Sequence, residues 1–422
     1  MFIGITHGKF ERGIVFLHIL VLTSIYPQSD DDENAGITSV VHYFAREWVA
    51  SGNNVMVIHN ANKYPRCLYL LPISILNKIN AIIGMVIPKN CQRKNLVTEK
   101  DGIKIFRIPL LKIIPKGKFF EFQIKNQFKK IVEIINECNF IPDVVIGHWE
   151  NPQIPLLSML KQNYGCKTAL VFHGVNYLKQ KSCAKWNIVH MKNIDVLGCR
   201  SKPIAEDVKG FLKLDKDPFI CYSGIPGAYI EQFTSQKPKI FSSDKLRRFI
   251  FTGQLIQRKY VDSIIKALHQ TNPDKNFHLN IVGIGACDAE LRDLVEKLDL
   301  QEQVEFSGRV PRDEVVRLMQ DIQCFTMISR DEAFGLVYIE AMASGCIVVA
   351  SKNEGIDGVI VNGMNGFLST AGDEKELAKI YKRINDLTKE QKEQISQNAI
   401  ETARNFKDSD AAIRYLDNVL NV

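Results

Sequence analysis

The sequence has little that points to a zinc protein or to a disulfide framework. Its ten cysteines contain no Cys-x-x-Cys pair, and no group of histidines and cysteines has the spacing of a zinc site. In a chain of 422 residues, scattered cysteines of this kind predict reduced and mostly buried thiols. We therefore expect a cytoplasmic protein. The acidic run Asp30–Glu33 has no second carboxylate cluster to complete a site, so it predicts a solvated loop and no bound metal.

The start of the chain lacks an apolar run long enough to span a membrane. The segment Ile14–Tyr26 is apolar and follows Lys9 and Arg12, as the core of a signal peptide would, but it is too short for a spanning helix. No small-residue cleavage site follows, because the next residues are PQSDDDENAG. We favour a buried first strand, roughly His18–Thr23, after an extension of residues 1–16.

The sequence also has only a small excess of positive over negative charge. The net charge is +7, with 24% charged and 45% hydrophobic residues, which is typical of an ordinary soluble globular chain long enough for two domains. Such an excess favours anionic partners such as nucleotide sugars or acidic lipid head groups, or it carries no functional meaning. No nucleic-acid partner is predicted.

The most informative stretch is Ser329–Gly345, SRDEAFGLVYIEAMASG. A short apolar strand, Cys324–Ser329, leads into a loop of charged and small residues. The following helix ends at Gly345, a residue suited to a left-handed C-cap, and a second apolar strand, Cys346–Ser351, comes next. This order builds a parallel sheet and leaves the helix N-terminus at the carboxyl edge of the sheet.

That helix start has the properties of an anion site. Its first N–H groups have no partner within the helix, and the helix dipole adds about half a positive charge. Gly335 has no Cβ to keep a phosphate away. Glu340 lies about one turn into the helix, where it would accept hydrogen bonds from ribose hydroxyls, and Glu332 would reach a sugar beyond the phosphates. Alternatively, one glutamate only complements the helix dipole, and the spacing alone does not decide.

The segment EAFGLVYIEAMASG resembles the signature of retaining glycosyltransferases of family 4 (glycosyl transferases group 1), in which seven residues separate two glutamates. The match includes both glutamates, the Phe-Gly-Leu step and the Ala-Ser-Gly end. The resemblance covers about Ile19–Leu420, is strong over Phe251–Leu368 and is weak before Leu170. It implies the GT-B architecture, an α/β fold of two doubly wound Rossmann-like domains that face a central cleft.

The resemblance also implies the domain order. We expect an N-terminal acceptor-binding Rossmann-like domain in residues 1–230 and a linker in 231–248. A C-terminal nucleotide-sugar-binding Rossmann-like domain would follow in 249–404. The last segment, 405–422, resembles the terminal helix that crosses back onto the N-terminal domain.

The resemblance places the donor site in the second domain. The residues expected to bind the donor there are Gly253, Gln254, Arg309, Val310, Phe334, Gly335, Leu336 and Glu340. Gln254 stands where the family usually has arginine, whereas Lys259 matches its lysine and Arg258 lies beside it. We expect Glu332, Arg258 and Lys259 to be catalytic, because fixed cations would stabilise the charge that builds on the leaving phosphate. Without the resemblance, adjacent basic residues would predict only a solvated helix start.

The resemblance also bears on three further positions, which are Gly358, Gly36 and His173. Gly358 stands where the family often has another glutamate, and Glu354 is not an evident replacement. Gly36, in the first loop, is expected to approach the donor diphosphate. His173 ends a predicted strand and is expected to approach the donor sugar as a catalytic residue, with His148 as the weaker candidate.

The segment Ile73–Val86 has an apolar face at helical spacing and is followed by Lys89, Arg93 and Lys94. It predicts either an interfacial helix beside a basic patch on an anionic membrane or an ordinary helix packed on the sheet. The basic and aromatic stretch LLKIIPKGKFFEF is a candidate to extend the same surface.

The sequence therefore predicts a cytoplasmic hexosyltransferase, with possible peripheral attachment to the inner face of the membrane. It would move a hexose from UDP- or GDP-hexose to a glycan or lipid-linked glycan acceptor, with retained anomeric configuration, in surface polysaccharide biosynthesis. No cofactor and no metal are expected. Two alternatives remain: another GT-B enzyme, such as a nucleotide-sugar epimerase or an inverting transferase, or a non-enzymatic nucleotide-sugar-binding subunit.

Overall fold

The structure is a computed structural model. It describes residues 16–27, 38–72, 75, 94–113, 119–179, 189–234, 239, 241 and 245–421. Residues 1–15 of the predicted extension, the run Asp30–Glu33, Gly36 and most of the segment Ile73–Lys94 lie outside these ranges.

The first domain is built on an eight-stranded sheet in the order β3-β4-β2-β1-β5-β6-β7-β8. Its strands are β1 (His18–Thr23), β2 (Asn54–Lys63), β3 (Leu96–Lys100), β4 (Ile103–Leu111), β5 (Val144–His148), β6 (Lys167–Phe172), β7 (Val196–Cys199) and β8 (Phe219–Ile220). The helices of this domain are α1 (Val40–Ala50), α2 (Arg66–Tyr69), α3 (Glu121–Glu137), α4 (Gln153–Tyr164) and α5 (Lys202–Leu212). Neighbouring strands are parallel except for the edge strand β3, which is antiparallel to β4.

The second domain is built on a parallel six-stranded sheet in the order β11-β10-β9-β12-β13-β14. The strands are β9 (Arg248–Thr252), β10 (His278–Val282), β11 (Val304–Gly308), β12 (Cys324–Met327), β13 (Ile347–Ser351) and β14 (Phe367–Ser369). The helices are α6 (Gly227–Thr234), α7 (Val261–Thr271), α8 (Asp288–Lys297), α9 (Arg312–Leu318), α10 (Leu336–Ala343), α11 (Glu374–Asn385) and α12 (Lys389–Arg404), followed by α13 (Asp408–Leu420).

Strand β1 shows why such short apolar runs become central strands. Ile19 and Val21 pack into the core on one face of the sheet, whereas Leu20 and Leu22 pack into the core on the other. A parallel strand with helices on both faces is buried on both sides, so its sequence is continuously apolar. The strand predicted at His18–Thr23 has these bounds in the structure.

The segment between the two sheets belongs largely to the second core. Ile225 and Ile230 are buried with the second sheet, and so are Phe241 and Leu246 within the predicted linker of residues 231–248. Helix α6 continues to Thr234, so the described part of this linker is packed rather than extended.

Helix α13 leaves the second domain and packs on helix α1 of the first. The Trp48 indole Nε1 donates to the Ala412 carbonyl at 2.9 Å. The ring of Tyr415 meets those of Phe44 and Trp48 edge-on, with centroids 5.1 and 5.3 Å apart. The last helix therefore ties the two domains together by burying aromatic side chains.

Two sheets flanked by helices, parallel except for edge strand β3, confirm the predicted α/β fold with two Rossmann-like domains. Among the helices of the described ranges, none has both the length and the apolar character needed to cross a bilayer.

Candidate active site

The loop before helix α10 is shaped by a glycine and braced by a tyrosine. Gly335 has a φ of +81°, and an added Cβ would lie 2.6 Å from the ring of Tyr338. A side chain at this position would therefore meet both backbone strain and a clash. The Tyr338 hydroxyl donates to the Met327 carbonyl at 2.7 Å, which fixes the helix start against the end of β12. The N-terminus of α10 thus lies at the carboxyl edge of the second sheet, as predicted.

Glu332 lies in this loop and is held by two cations. Its Oε2 is 2.5 Å from the Lys259 ammonium and 3.7 Å from the Arg258 guanidinium, and Ser329 donates to the same oxygen at 3.4 Å. Burial opposes the charged carboxylate, but Lys259 and Arg258 outweigh that effect and hold the pKa of Glu332 below its usual value. The structure thus brings together the three residues of the second domain that were predicted to be catalytic.

Arg258 and Lys259 have different roles in this arrangement. Arg258 Nη1 donates to the carbonyls of Arg330 and Asp331 at 3.1 and 3.4 Å, so it clamps the loop that carries Glu332. Lys259 is buried, and its ammonium also lies 3.4 Å from the Met327 sulfur. A buried ammonium needs a carboxylate partner, which explains the short contact with Glu332.

Glu354 has a role that the sequence does not reveal. Its Oε2 accepts a hydrogen bond from the Glu332 backbone N–H at 2.8 Å, and the N–H of Gly355 donates to the Glu332 carbonyl at 2.9 Å. Burial raises the pKa of Glu354, and the neighbouring Asp331 and Glu332 carboxylates add to this effect. Glu354 therefore braces the loop from behind, whereas Gly358 offers no carboxylate.

A cluster of glycines lines the neighbouring strand ends. The N–H of Gly253 donates to the Val282 carbonyl at 3.0 Å, and a Cβ on Gly283 would lie 1.8 Å from the Gly253 carbonyl oxygen. A Cβ on Gly285 would lie 2.2 Å from the Leu255 carbonyl oxygen. The Gly-x-Gly turn after β10 is therefore required for close packing of two loops. Gln254, in the loop that follows β9, is exposed.

The other predicted donor residues lie after strand β11 and around the start of helix α10. Arg309 is exposed and Val310 is half-buried, directly after Gly308 at the end of β11. Leu336 is half-buried in the first turn of α10. Phe334 is different, because its ring is buried against Tyr222 and Phe406, with centroids 5.1 and 5.9 Å away. Its side chain therefore supports the loop as part of the core.

Glu340 is buried in helix α10 and carries an ion pair that the sequence does not reveal. Its Oε1 lies 2.7 Å from Arg312 Nε and 2.5 Å from Arg312 Nη2. Arg312 begins helix α9, 28 residues earlier, and no motif singles it out. The carboxylate predicted to bind a ribose is thus paired with an arginine.

In the first domain, His173 and His148 form a linked pair at the carboxyl ends of β6 and β5. His148 Nδ1 lies 3.0 Å from His173 Nε2, so one ring donates and the other accepts. The Tyr415 hydroxyl lies 3.3 Å from His148 Nε2, and Trp149 stacks on His173 with centroids 3.9 Å apart. Burial, with Arg200 nearby, lowers the pKa of His148 to about 3, and burial and His148 lower that of His173. Both rings are therefore neutral at pH 7.

Glu150 follows this pair and was not predicted from the sequence. Its carboxyl is buried, and burial raises its pKa to about 7. The sequence signal, a carboxylate two residues after a strand that ends in His148, is too common to be informative alone. Gly36, the other predicted residue of this domain, lies outside the described residues.

Comparison with known proteins identifies the second domain. Residues 232–404 match the family model for glycosyl transferases group 1. The chain is therefore a glycosyltransferase, which confirms the coarser part of the predicted identity.

Relatives of this glycosyltransferase include an uncharacterized glycosyltransferase of Methanocaldococcus jannaschii, 26% identical over 268 residues, which are 63% of this chain and 71% of that protein. The N-acetyl-alpha-D-glucosaminyl L-malate synthase of Bacillus anthracis is 25% identical over 251 residues, which are 58% of this chain and 65% of the synthase.

Solved structures agree with the fold of the whole glycosyltransferase. A glycosyltransferase from Rickettsia africae superposes with a TM-score of 0.68 at 16% identity, covering 96% of this chain and 98% of its own. Anabaena HepE in complex with UDP superposes with a TM-score of 0.65 at 17% identity, covering 96% of this chain and all of its own. These matches confirm the GT-B architecture of two Rossmann-like domains.

Proposed function

We propose that this glycosyltransferase moves a hexose from a UDP- or GDP-hexose to a glycan or lipid-linked glycan acceptor, with retention of anomeric configuration. The observation that carries the proposal is the pairing of Glu332 with Lys259 and Arg258 beside the glycine-shaped N-terminus of α10. This arrangement supplies fixed positive charge for a diphosphate and a carboxylate for sugar hydroxyls. The fold relative Anabaena HepE was solved with UDP and with UDP and glucose, which supports a nucleotide-sugar donor.

The reaction breaks the bond between the anomeric carbon and the diphosphate oxygen, and forms a bond from the same carbon to the acceptor oxygen. In the proposed front-face displacement, the acceptor approaches on the side from which the diphosphate departs, so configuration is retained. The acceptor proton passes to the leaving phosphate oxygen. Lys259 and Arg258 would stabilise the negative charge that grows there, and their effect is largest in the transition state.

Glu332 would leave its ion pair in part when the donor binds. The diphosphate would compete for Lys259 and Arg258, and the freed carboxylate oxygen would accept hydrogen bonds from donor-sugar hydroxyls. His173, neutral at pH 7, would offer one ring nitrogen to the donor sugar from the first domain. The proposal requires neither a cofactor nor a metal.

The role in surface polysaccharide biosynthesis belongs to the same proposal. One relative is a putative colanic acid biosynthesis glycosyltransferase of Salmonella typhimurium, 25% identical over 248 residues, which are 57% of this chain and 60% of that protein. We infer a cytoplasmic enzyme that approaches the inner face of the membrane to reach a lipid-linked acceptor.

Two measurements test the proposed function. Thermal shift against a panel of nucleotide sugars should identify the donor, because a ligand at 100 times its dissociation constant adds about 2.7 kcal/mol of stability. Release of UDP or GDP in the presence of a glycan acceptor should then be followed, and the anomer of the product should be assigned by NMR. Binding without release in the presence of any acceptor would indicate a nucleotide-sugar-binding subunit.

An inverting transferase is the second candidate, and one observation favours it. Such an enzyme needs a base in the first domain, and this chain places neutral His173 beside His148, with the buried carboxyl of Glu150 following. A product of inverted configuration would establish that mechanism. Recovery of an altered nucleotide sugar without acceptor would instead indicate an epimerase.

A further inference from the structure

Arg312 lies between Glu340, the residue predicted to bind a ribose, and the first domain. Both of its contacts with Glu340, from Nε at 2.7 Å and Nη2 at 2.5 Å, are made to a single oxygen, Oε1. Among the described residues, Oε2 of Glu340 takes part in no hydrogen bond or ion pair with another side chain. The arginine thus fixes the carboxylate while leaving one oxygen available for a hydroxyl.

Two aromatic rings hold the guanidinium of Arg312. Its central carbon lies 5.5 Å from the ring centroid of Tyr43 and 5.5 Å from that of Tyr229. The Tyr229 hydroxyl also donates a hydrogen bond to the Asp313 carboxylate, which keeps this ring in place. A cation above an aromatic face is attracted by the ring, and a planar guanidinium stacks in a way that an ammonium cannot.

The two rings come from different parts of the chain. Tyr43 lies in the first turn of α1, in the first domain, whereas Tyr229 lies in α6, which packs with the second core. Arg46, one turn after Tyr43, lies 5.6 Å from the same tyrosine ring and pairs with Asp408 at 2.8 Å. The contact of Arg312 with Tyr43 is therefore part of the interface between the domains.

We propose that Arg312 is a positioning residue that orients Glu340 for a nucleotide ribose and, through Tyr43, links the geometry of the nucleotide site to the docking of the first domain. This inference rests on the proposed function, because it takes a nucleoside diphosphate as the ligand. Its content is separate: a residue outside the signature motif and a residue in the other domain both control recognition of the ribose.

The test uses the full chain and calorimetric binding of UDP and GDP, each compared with its 2′-deoxy form. A ribose hydroxyl bonded to Glu340 makes wild type prefer the ribonucleotide, by roughly tenfold for a hydrogen bond to a charged group. Arg312→Lys keeps the positive charge but loses the planar guanidinium, whose Nε and Nη2 both contact Glu340. We expect it to bind the ribonucleotide roughly tenfold more weakly and to lose most of the preference over the deoxynucleotide.

Variants of Tyr43 test the link between the domains. Tyr43→Phe retains the ring and should bind like wild type. Tyr43→Ala should weaken ribonucleotide binding by about threefold or more, as expected for loss of a cation–π contact. Arg317→Ala is the matched control, because Arg317 lies on the same helix and pairs with Glu314 on the surface. It should leave both affinities unchanged.

The outcomes separate this inference from the proposed function. If wild type binds UDP or GDP and Arg312→Lys keeps the full preference for ribose, Arg312 does not position Glu340 and the inference is wrong. If Tyr43→Ala binds as wild type does, the link to the first domain is wrong. If wild type binds neither nucleotide, the proposal of a nucleotide-sugar donor is wrong, and this inference is wrong with it.

Discussion

At the scale of single residues, the candidate site is organised by charge pairing. Glu332 is paired with two cations, Lys259 and Arg258, whereas Glu340 is paired with one, Arg312. Buried charges are stable only when they are paired, and removal of one partner leaves the other exposed to the full desolvation cost. The two glutamates should therefore respond differently to substitution, because their cations have different functions.

The first prediction compares these glutamates. Glu340→Gln should weaken the binding of plain UDP or GDP about ten- to a hundredfold, because a hydrogen bond from ribose to a charged group is worth roughly 1.5–3 kcal/mol. Glu332→Gln should not weaken nucleotide binding, because it removes the carboxylate that competes with the diphosphate for Lys259 and Arg258, and it should lower turnover instead. Isothermal titration and steady-state rates measure the two effects. Equal losses of nucleotide affinity in both variants would contradict the assignment.

The second prediction concerns the two cations. Lys259→Ala and Arg258→Ala should each lower kcat by more than they raise KM, because charge on the leaving phosphate is greatest in the transition state. Lys266→Ala is a matched control, since Lys266 lies on helix α7 and pairs with Asp262 at 2.9 Å, outside the Glu332 cluster. Wild-type turnover in either test variant would show that the cation only braces the loop.

Part of this site could be predicted from the sequence and part could not. Glu332, Glu340 and Lys259 could be singled out because a contiguous motif and fixed spacings carry them. Arg312 and Glu354 were missed because their roles depend on which strand ends meet at the sheet edge. Spacing along one segment says nothing about a partner that packing alone brings within 3 Å.

At the scale of elements, buried strands were the most predictable features. Strand β1 was predicted with its observed bounds because every residue of Ile19–Leu22 is buried by helices on one face or the other. The edge hairpin of β3 and β4 was not foreseen. Its strand β3 is mostly exposed, with Leu96 and Val97 at the surface, so its sequence has no run of buried residues to indicate a strand.

An exposed aromatic pair is relevant to the predicted membrane surface. The segment Ile73–Val86 lies outside the described residues, and its contact with a membrane stays a prediction. The second stretch that was proposed to join it is largely described. In this stretch Phe120 and Phe122 are stacked with centroids 5.9 Å apart, and both are exposed, with Ile113 exposed as well. Exposed apolar side chains of this kind are typical of interfacial contact, and Lys116 and Lys118 of the same stretch lie outside the described residues.

The third prediction is reversible binding to anionic vesicles through this surface. Sedimentation with vesicles should require acidic lipid and should decrease as salt rises, because each nearby cation contributes about 1 kcal/mol at an anionic surface. Binding should weaken in the triple alanine variant of Lys89, Arg93 and Lys94. It should also weaken in Phe122→Ser, which removes apolar contact without changing charge.

A control of equal charge is available at the opposite edge of the first sheet. Lys209, Lys213 and Lys216 lie near the end of helix α5, before edge strand β8, whereas the described part of the stretch LLKIIPKGKFFEF begins at the end of β4. Their triple alanine variant should bind vesicles as wild type does. If both triple variants lose vesicle binding equally, the protein is attracted to the vesicles by its net charge alone. The segment Ile73–Val86 would then have no special role in membrane binding.

At the scale of the whole molecule, the arrangement of two sheets was predictable but the contacts that join them were not. The motif determines the class of the second domain, and the order of strands and helices determines the sheets. Arg46 meets Asp408, and Trp48 meets Ala412, across more than 360 positions of sequence. Such contacts depend on the path of helix α13 over the first domain, which no local pattern records.

The fourth prediction concerns the pH dependence of stability in the first domain. Burial and Arg107 lower the pKa of His59 to about 4, and burial and Arg200 lower that of His148 to about 3. Between those values and 6.5, the unfolded chain binds protons that the folded chain does not, so stability decreases as pH falls below 6.5. Glu150 acts in the opposite direction. The pKa of Glu150 is raised from 4.5 to about 7. Its contribution to the free energy of unfolding is therefore complete below pH 4.5 and is lost as pH rises through 7.

Substitution of one group at a time separates these opposing contributions between pH 5 and 6.5. Each group changes the slope of the unfolding free energy by at most about 1.4 kcal/mol per pH unit. Glu150→Gln removes the opposing carboxyl and should make the loss of stability on acidification steeper by up to about that amount. His59→Gln should make the loss of stability on acidification shallower to a similar extent.

Urea unfolding followed by tryptophan fluorescence is a suitable measurement, because all three tryptophans precede residue 231. Carboxylates elsewhere titrate equally in wild type and variants, so they cancel in the difference. A slope unchanged by Glu150→Gln would mean that this carboxyl is already ionised in the folded protein, as it is in the unfolded chain.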